Sequence, residues 1–154
     1  MSDWQSSSRE RPSWDDYFLD IVRSVSSRAT CNRGRCGAVL ALDRQILATG
    51  YVGSPPGFPH CDDVGHELIN GHCVRTVHAE QNAITSAARR GIPTVGSTCY
   101  TKVAPCRVCA MLLVTAGVTR VVALSMYQDQ AGLHVLQQAR VPYTVISKKV
   151  LYVP

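Results

Sequence analysis

His78 to Cys109 reads HAEQNAITSAARRGIPTVGSTCYTKVAPCRVC, and its apolar pattern sets the architecture. Ala79, Ala83, Ile84, Ala87 and Ala88 recur at helical spacing until Gly91 and Pro93 stop them, which predicts a helix opening at His78. Ser97 to Thr101 then reads as a strand, and a second helix is expected from Cys106 to Ala116, closed by Gly117. Toward the C-terminus the alternation continues with a strand over Arg120 to Leu124, a helix over about Asp129 to Ala139 and a strand over Pro142 to Ile146. Toward the N-terminus, Cys36 to Leu42 and Gln45 to Tyr51 read as two antiparallel strands joined by a tight turn at Asp43-Arg44. Before them, Ser13 caps a helix whose Tyr17, Phe18, Ile21, Val22 and Val25 form one apolar face, running to about Arg28. An opening hairpin followed by alternating helices and strands predicts a layered α/β domain with a mixed sheet, its later strands parallel.

The 154 residues, 45% of them hydrophobic, suffice for one core. Residues 1–12, polar, Ser-rich and ended by Pro12, read as a flexible tail, leaving 13–154 as the folded domain. The chain has no apolar run long enough to span a bilayer, and Asp3, Arg9, Glu10 and Arg11 interrupt any signal-peptide core. No membrane is expected as a partner, and a cytoplasmic location is. In that reducing compartment seven cysteines point to metal rather than to disulfides. The net charge of +5 is spread along the chain, which suits a small anionic ligand better than a polynucleotide.

His78-Ala79-Glu80 and Pro105-Cys106-Arg107-Val108-Cys109 both open predicted helices. Cysteines at i and i+3 on a first helical turn point to the same side, where the helix N-terminus favours thiolate. A histidine from a neighbouring helix adds a third ligand, so His78, Cys106 and Cys109 are expected to hold a catalytic Zn²⁺ with its fourth position open to water. Such a metal lowers the pKa of water toward about 7. Glu80, two residues after His78, is the expected catalytic acid and base, moving a proton from water to a ring nitrogen and then to a leaving amine. Alone, Cys-x-x-Cys also fits a redox pair or half of a structural site. With His-Ala-Glu upstream it is the signature of zinc-dependent base deaminases.

The chain resembles the deoxycytidylate (dCMP) deaminases of the cytidine deaminase superfamily from about Arg11 to Ile146. The likeness rests on both zinc motifs, on Cys31-Asn32-Arg33 leading into Cys36-Gly37-Ala38-Val39, on Thr49-Gly50-Tyr51 with Gly53 and Pro55, and on Ala116-Gly117-Val118 and Tyr127. It implies a three-layer α/β/α cytidine deaminase-like fold with a five-stranded mixed sheet, assembly as a homo-oligomer (trimer or hexamer), and dCTP and dTTP as effectors. It also implies a second, structural zinc. In the Gly-rich stretch 53–77, too long to be a plain connector, Cys61 and Cys73 join Cys31 as ligands; His72 is taken as the fourth, with His66 the alternative. Cys36 and Cys99, in expected strands, are assigned to the core.

Substrate contacts are expected at Arg33, Val52, Ala79 and Lys102. Arg33 matches a basic position of the family and, with Arg35 and Lys102, is a candidate for a phosphate. Family members usually carry Asn where Val52 stands, and Lys102-Val103 replaces more polar residues. Loss of polar partners alters selectivity, so a modified or differently phosphorylated pyrimidine stands beside dCMP as substrate. Deamination of tRNA or single-stranded DNA would need aromatic stacking platforms in a basic groove, against which stand 6% aromatic content and scattered charge. A non-catalytic zinc-stabilised module would leave Glu80 without a role.

Overall fold

The computed structural model describes residues 10–154; most of the tail expected at 1–12 therefore lies outside the described residues. Helix α1, Trp14–Ser26, starts where Ser13 Oγ accepts the Asp16 backbone N–H at 3.1 Å. Strands β1, Gly37–Leu42, and β2, Gln45–Tyr51, form the expected antiparallel hairpin. Its turn residues Asp43 and Arg44 both have positive φ, as a two-residue turn between right-twisted strands requires.

Residues 53–77 hold more than a loop: a short helix α2, Cys61–Val64, and a small hairpin of β3, Leu68–Ile69, and β4, His72–Cys73. Such short elements carry no readable periodicity. There follow α3, Ala79–Arg89; β5, Thr98–Val103; α4, Arg107–Thr115; β6, Arg120–Ser125; α5, Ala131–Gln138; β7, Tyr143–Val145; and, after a 3₁₀ turn, β8, Val150–Tyr152.

The main sheet has six strands, in the order β2-β1-β5-β6-β7-β8. Five were expected from the resemblance. The sixth, β8, arises because Lys149 adopts a left-handed conformation (φ 50°) that turns the chain back antiparallel onto β7. Tyr152 then stacks on Tyr143 with ring centroids 5.5 Å apart. β5, β6 and β7 run parallel, and β1 is antiparallel to β5.

The two sheet faces read off alternate residues of β1. Val39 and Ala41 pack with Phe18, Leu19 and Val22 of α1. Ala38 and Leu40 face Ala79 and Ala83 of α3, Ala110 and Leu113 of α4 and Leu133 and Leu136 of α5. The result is three layers, with α1 on one side and α3, α4 and α5 on the other. Two glycines permit the closest approaches. A Cβ on Gly50 would lie 2.3 Å from the Ala79 carbonyl oxygen, and one on Gly132 would lie 1.9 Å from that of Pro105. β2 and α5 thereby press directly on the starts of α3 and α4. Among the described residues no helix is long and apolar enough to cross a membrane.

Candidate functional site

Helices α3 and α4 begin side by side, and the residue that precedes each supplies a metal-binding atom. His78 is the N-cap of α3 and Cys106 the N-cap of α4, each in extended conformation. Cys106 Sγ accepts the Cys109 backbone N–H at 3.5 Å, folding the first turn so that both sulfurs face His78. His78 Nδ1 lies 3.7 Å from Cys106 Sγ and 3.4 Å from Cys109 Sγ. A tetrahedral zinc with ligand distances of about 2.0–2.3 Å separates its ligands by roughly 3.5–3.8 Å, which both His78–sulfur distances approach, and the three ligand atoms all lie within 4.8 Å of one another.

The electrostatics agree. A hydrogen bond from the Cys109 thiol, helped by His78 and the Cys109 backbone N–H, holds Cys106 down to about 4 against the opposing effect of burial. The thiolate beside it raises His78. Metal binding must displace that proton.

Glu80, one residue into α3, is 7% exposed, and burial pushes its carboxyl above the ordinary range. Thr101 Oγ1 sits 3.4 Å from Glu80 Oε1, in the C-terminal half of β5. His78, Glu80, Thr101 and Cys106 line one cavity of about 480 Å³. A poorly solvated carboxyl whose pKa is raised by burial, beside a metal trio, is equipped to shuttle protons.

The cavity wall gathers other expected residues. Val52 lines it, held in place because the Val52 N–H donates to the Cys36 carbonyl at 2.9 Å and Asn82 Nδ2 donates to the Tyr51 carbonyl at 2.7 Å. Arg33 lines it too, with Nη2 donating to the Gly71 carbonyl at 2.8 Å. Lys102 does not: its Nζ donates to the Arg35 carbonyl at 2.7 Å, away from the lining. Arg35 is likewise occupied, bonding the Ala29 carbonyl and pairing with Asp62. Ala79 is fully buried in the core cluster, outside the lining. Cys99 is buried in the core, whereas Cys36 is half-buried and borders the cavity.

Sequence reasoning overlooked Thr101, Asn70, Thr76 and Gln128 as lining residues. Thr101 had a signal, since it lies in the C-terminal half of the strand that leads into Pro105-Cys106. Asn70 and Thr76 had none, because only the fold of the β3–β4 segment brings them over the cavity.

A second group of donors lies beside the first. Cys31, Cys61, His66 and Cys73 bring their ligand atoms within 4.8 Å of one another. Cys61 and Cys73 are 3.5 Å apart at sulfur, and Cys31 Sγ is 3.6 Å from His66 Nδ1. The histidine in this group is therefore His66, not His72. On β4 Cys73 joins the cluster while the neighbouring His72 stays out of it, and both residues border the cavity.

The family model described as the cytidine and deoxycytidylate deaminase zinc-binding region matches residues 12–125. ComE operon protein 2 of Bacillus subtilis is 37% identical over 137 residues, covering 83% of this chain and 72% of that protein. The deoxycytidylate deaminase of Saccharomyces cerevisiae is 33% identical over 138 residues, 84% of this chain but only 43% of the yeast protein. Among solved structures, the dCMP deaminase of cyanophage S-TIM5 in complex with dCMP and dUMP superposes with a TM-score of 0.78 at 29% identity, over 89% of this chain and 99% of the phage chain.

Proposed function

The chain belongs to the cytidine and deoxycytidylate deaminase zinc-binding family, and on that premise we propose that it hydrolyses the exocyclic amine of dCMP to give dUMP and ammonia. The observation that carries this reading is Glu80, buried and raised, opening into the same cavity as the His78, Cys106 and Cys109 trio. Zinc, when held by those three residues, supplies Lewis-acid activation of a water at the carbon that bears the amine.

The chain's own residues do the rest. Glu80 takes a proton from the attacking water and delivers it to the ring nitrogen. It then carries a second proton to the amine as the carbon–nitrogen bond breaks and ammonia leaves. The Thr101 hydroxyl keeps the Glu80 carboxyl aimed into the cavity. Val52, Val103 and Ala104 give the base an apolar wall, and Arg33 offers the cavity's guanidinium to the phosphate.

Further parts of the reading concern the rest of the molecule. Cys31, Cys61, His66 and Cys73 would hold a second zinc as a closed four-ligand site that pins residues 53–77. The protein would act as a homo-oligomer of three or six copies, a reading supported by the exposed apolar stripe of Val108, Met111 and Leu112 on α4. dCTP and dTTP would be effectors, tested by adding each to the assay. Val52 in place of the family's Asn keeps a modified pyrimidine nucleotide as the second substrate reading.

The test is deamination, followed by absorbance, of dCMP, CMP, deoxycytidine and 5-substituted dCMP by the zinc-loaded protein. Turnover favouring dCMP is expected. Glu80→Gln should lower kcat by at least about 10²-fold, since general acid–base catalysis alone contributes about 10²–10⁴-fold. Its zinc content should be unchanged. Near wild-type turnover in the Glu80→Gln variant would end the role given to the carboxyl.

A further inference from the structure

We propose that the groove between the start of α1 and the β1–β2 turn is a second ligand site, which binds a planar aromatic monoanion with its charged group on Arg44 and its ring against Trp14. The groove lies on the α1 side of the sheet, opposite the helices that carry the metal trio. None of its residues has a part in the deamination, so the inference stands apart from the reading of the reaction.

Shape is the first argument. Trp14, Asp15 and Phe18 of α1, Asp43 and Arg44 of the turn and Thr98 of β5 wall a cavity of about 320 Å³. That is the small end of the roughly 300–1,000 Å³ range of small-molecule sites, which suits a ligand of one or two fused rings. Trp14 is 48% exposed and offers the groove an aromatic surface that the fold leaves uncovered.

The placing of Arg44 is the second. It is the latter residue of a two-residue turn, with Leu42 paired to Gln45 across it, and it takes φ 64° where glycine is the usual occupant. A side chain held in the left-handed region costs stability that glycine would spare, and such strain gathers at binding sites. Here the strained residue lays its guanidinium over Trp14, 5.2 Å from the ring centroid. Among the described residues it forms no salt bridge. A guanidinium stacked by its face keeps N–H groups at its edge, the fork that takes a carboxylate through two parallel hydrogen bonds.

Charge sets the ligand class. Asp15 and Arg120 on the wall already pair with each other, and Asp43 and Arg44 offset one another, so two carboxylates and two guanidiniums sum to zero. A monoanion can engage Arg44 while the exposed Asp43 stays in water. A nucleoside triphosphate would set several negative charges against both carboxylates, which disfavours dCTP and dTTP at this place. The Thr98 hydroxyl can serve a polar substituent of the ring.

The experiment titrates wild type, Arg44→Gly and Trp14→Leu by calorimetry with indole carboxylate and with its neutral carboxamide. It repeats the wild-type titration in saturating dUMP and in dTTP, and records the melting temperature and the turnover of dCMP. The carboxylate should bind at one site per chain with Kd below about 1 mM, unmoved by dUMP or dTTP. The carboxamide should bind at least about tenfold more weakly, having lost the charge on its hydrogen bonds to Arg44. Binding should vanish in both variants. Arg44→Gly, relieved of the left-handed side chain, should melt no lower than wild type and keep its turnover, so its loss of binding reports the site and not the fold.

The proposal is overturned by wild type that shows no saturable binding, by a carboxamide that binds as tightly as the carboxylate, or by binding that persists in either variant. Displacement by dUMP also overturns it, since the probe would then sit in the catalytic cavity, and displacement by dTTP overturns the monoanion as the ligand class.

Discussion

Asp15 ties the first helix to the sheet through a single carboxylate. Arg120 on β6 grips it with both nitrogens, at 2.8 and 2.6 Å, and the Tyr100 hydroxyl donates to it at 2.9 Å. The Arg120 hydrogen bonds hold Asp15 below its ordinary value of 3.8 against the desolvation that opposes them. A carboxylate whose folded pKa is depressed stabilises the fold above its unfolded pKa, and loses that contribution as pH falls through the folded one. Asp15→Asn should therefore cost on the order of 1 kcal/mol at neutral pH, a modest figure because both partners are about a third exposed. The difference in melting temperature between wild type and variant should shrink below about pH 4, which calorimetry across pH 2.5 to 7 (roughly the range of the linkage) would follow. At this scale the sequence announced what short spacing can announce. Cys106 and Cys109 meet because a helical turn brings i and i+3 together, and Glu80 follows His78 into the same cavity. That His66 rather than His72 joins the second cluster depended on how the β3–β4 segment folds, which no local pattern encodes. The same holds for Lys102, whose amine found a backbone carbonyl 67 positions away in sequence.

Helices and strands with a full apolar face were legible; elements held by long-range donors were not. α1, α3, α4 and the β1–β2 hairpin follow from periodicity and capping, because each buries a stripe of its own. α2 and the β3–β4 hairpin are small and expose Val64, Leu68 and Ile69, so what holds them is the meeting of Cys31, Cys61, His66 and Cys73. The expectation is direct. Cys61→Ser should lose one zinc per chain by metal analysis. The amides of Gly65 and Val74, which bond the carbonyls of Cys61 and Glu67 at 2.9 and 2.8 Å, should exchange with solvent at least about tenfold faster, the signature of a local opening. The β5 and β6 amides should stay protected. Unchanged exchange at Gly65 and Val74 would mean that the segment stands without the metal.

Across the whole molecule, the sheet ends on β8, three residues that no sequence pattern separated from a tail. The strand covers β7, whose Tyr143 and Val145 belong to the main core. Removing residues 150–154 forfeits the Tyr143–Tyr152 stack, worth about 1 kcal/mol, or roughly 3 °C in melting temperature for a chain of this size. It also bares the β7 edge to pairing with other chains. The truncated protein should melt earlier and form larger species as its concentration rises, as scanning calorimetry and light scattering would register; an unaltered melting curve would make β8 ornamental. The same global arrangement decides how the protein meets an oxidising cell. Cys31, Cys36, Cys73 and Cys106, four of its seven thiols, border one cavity, so peroxide, an arsenical or a mercurial entering by the nucleotide's route encounters sulfur on several sides, and the supply of the deaminated nucleotide would be among the first things such a poison silences.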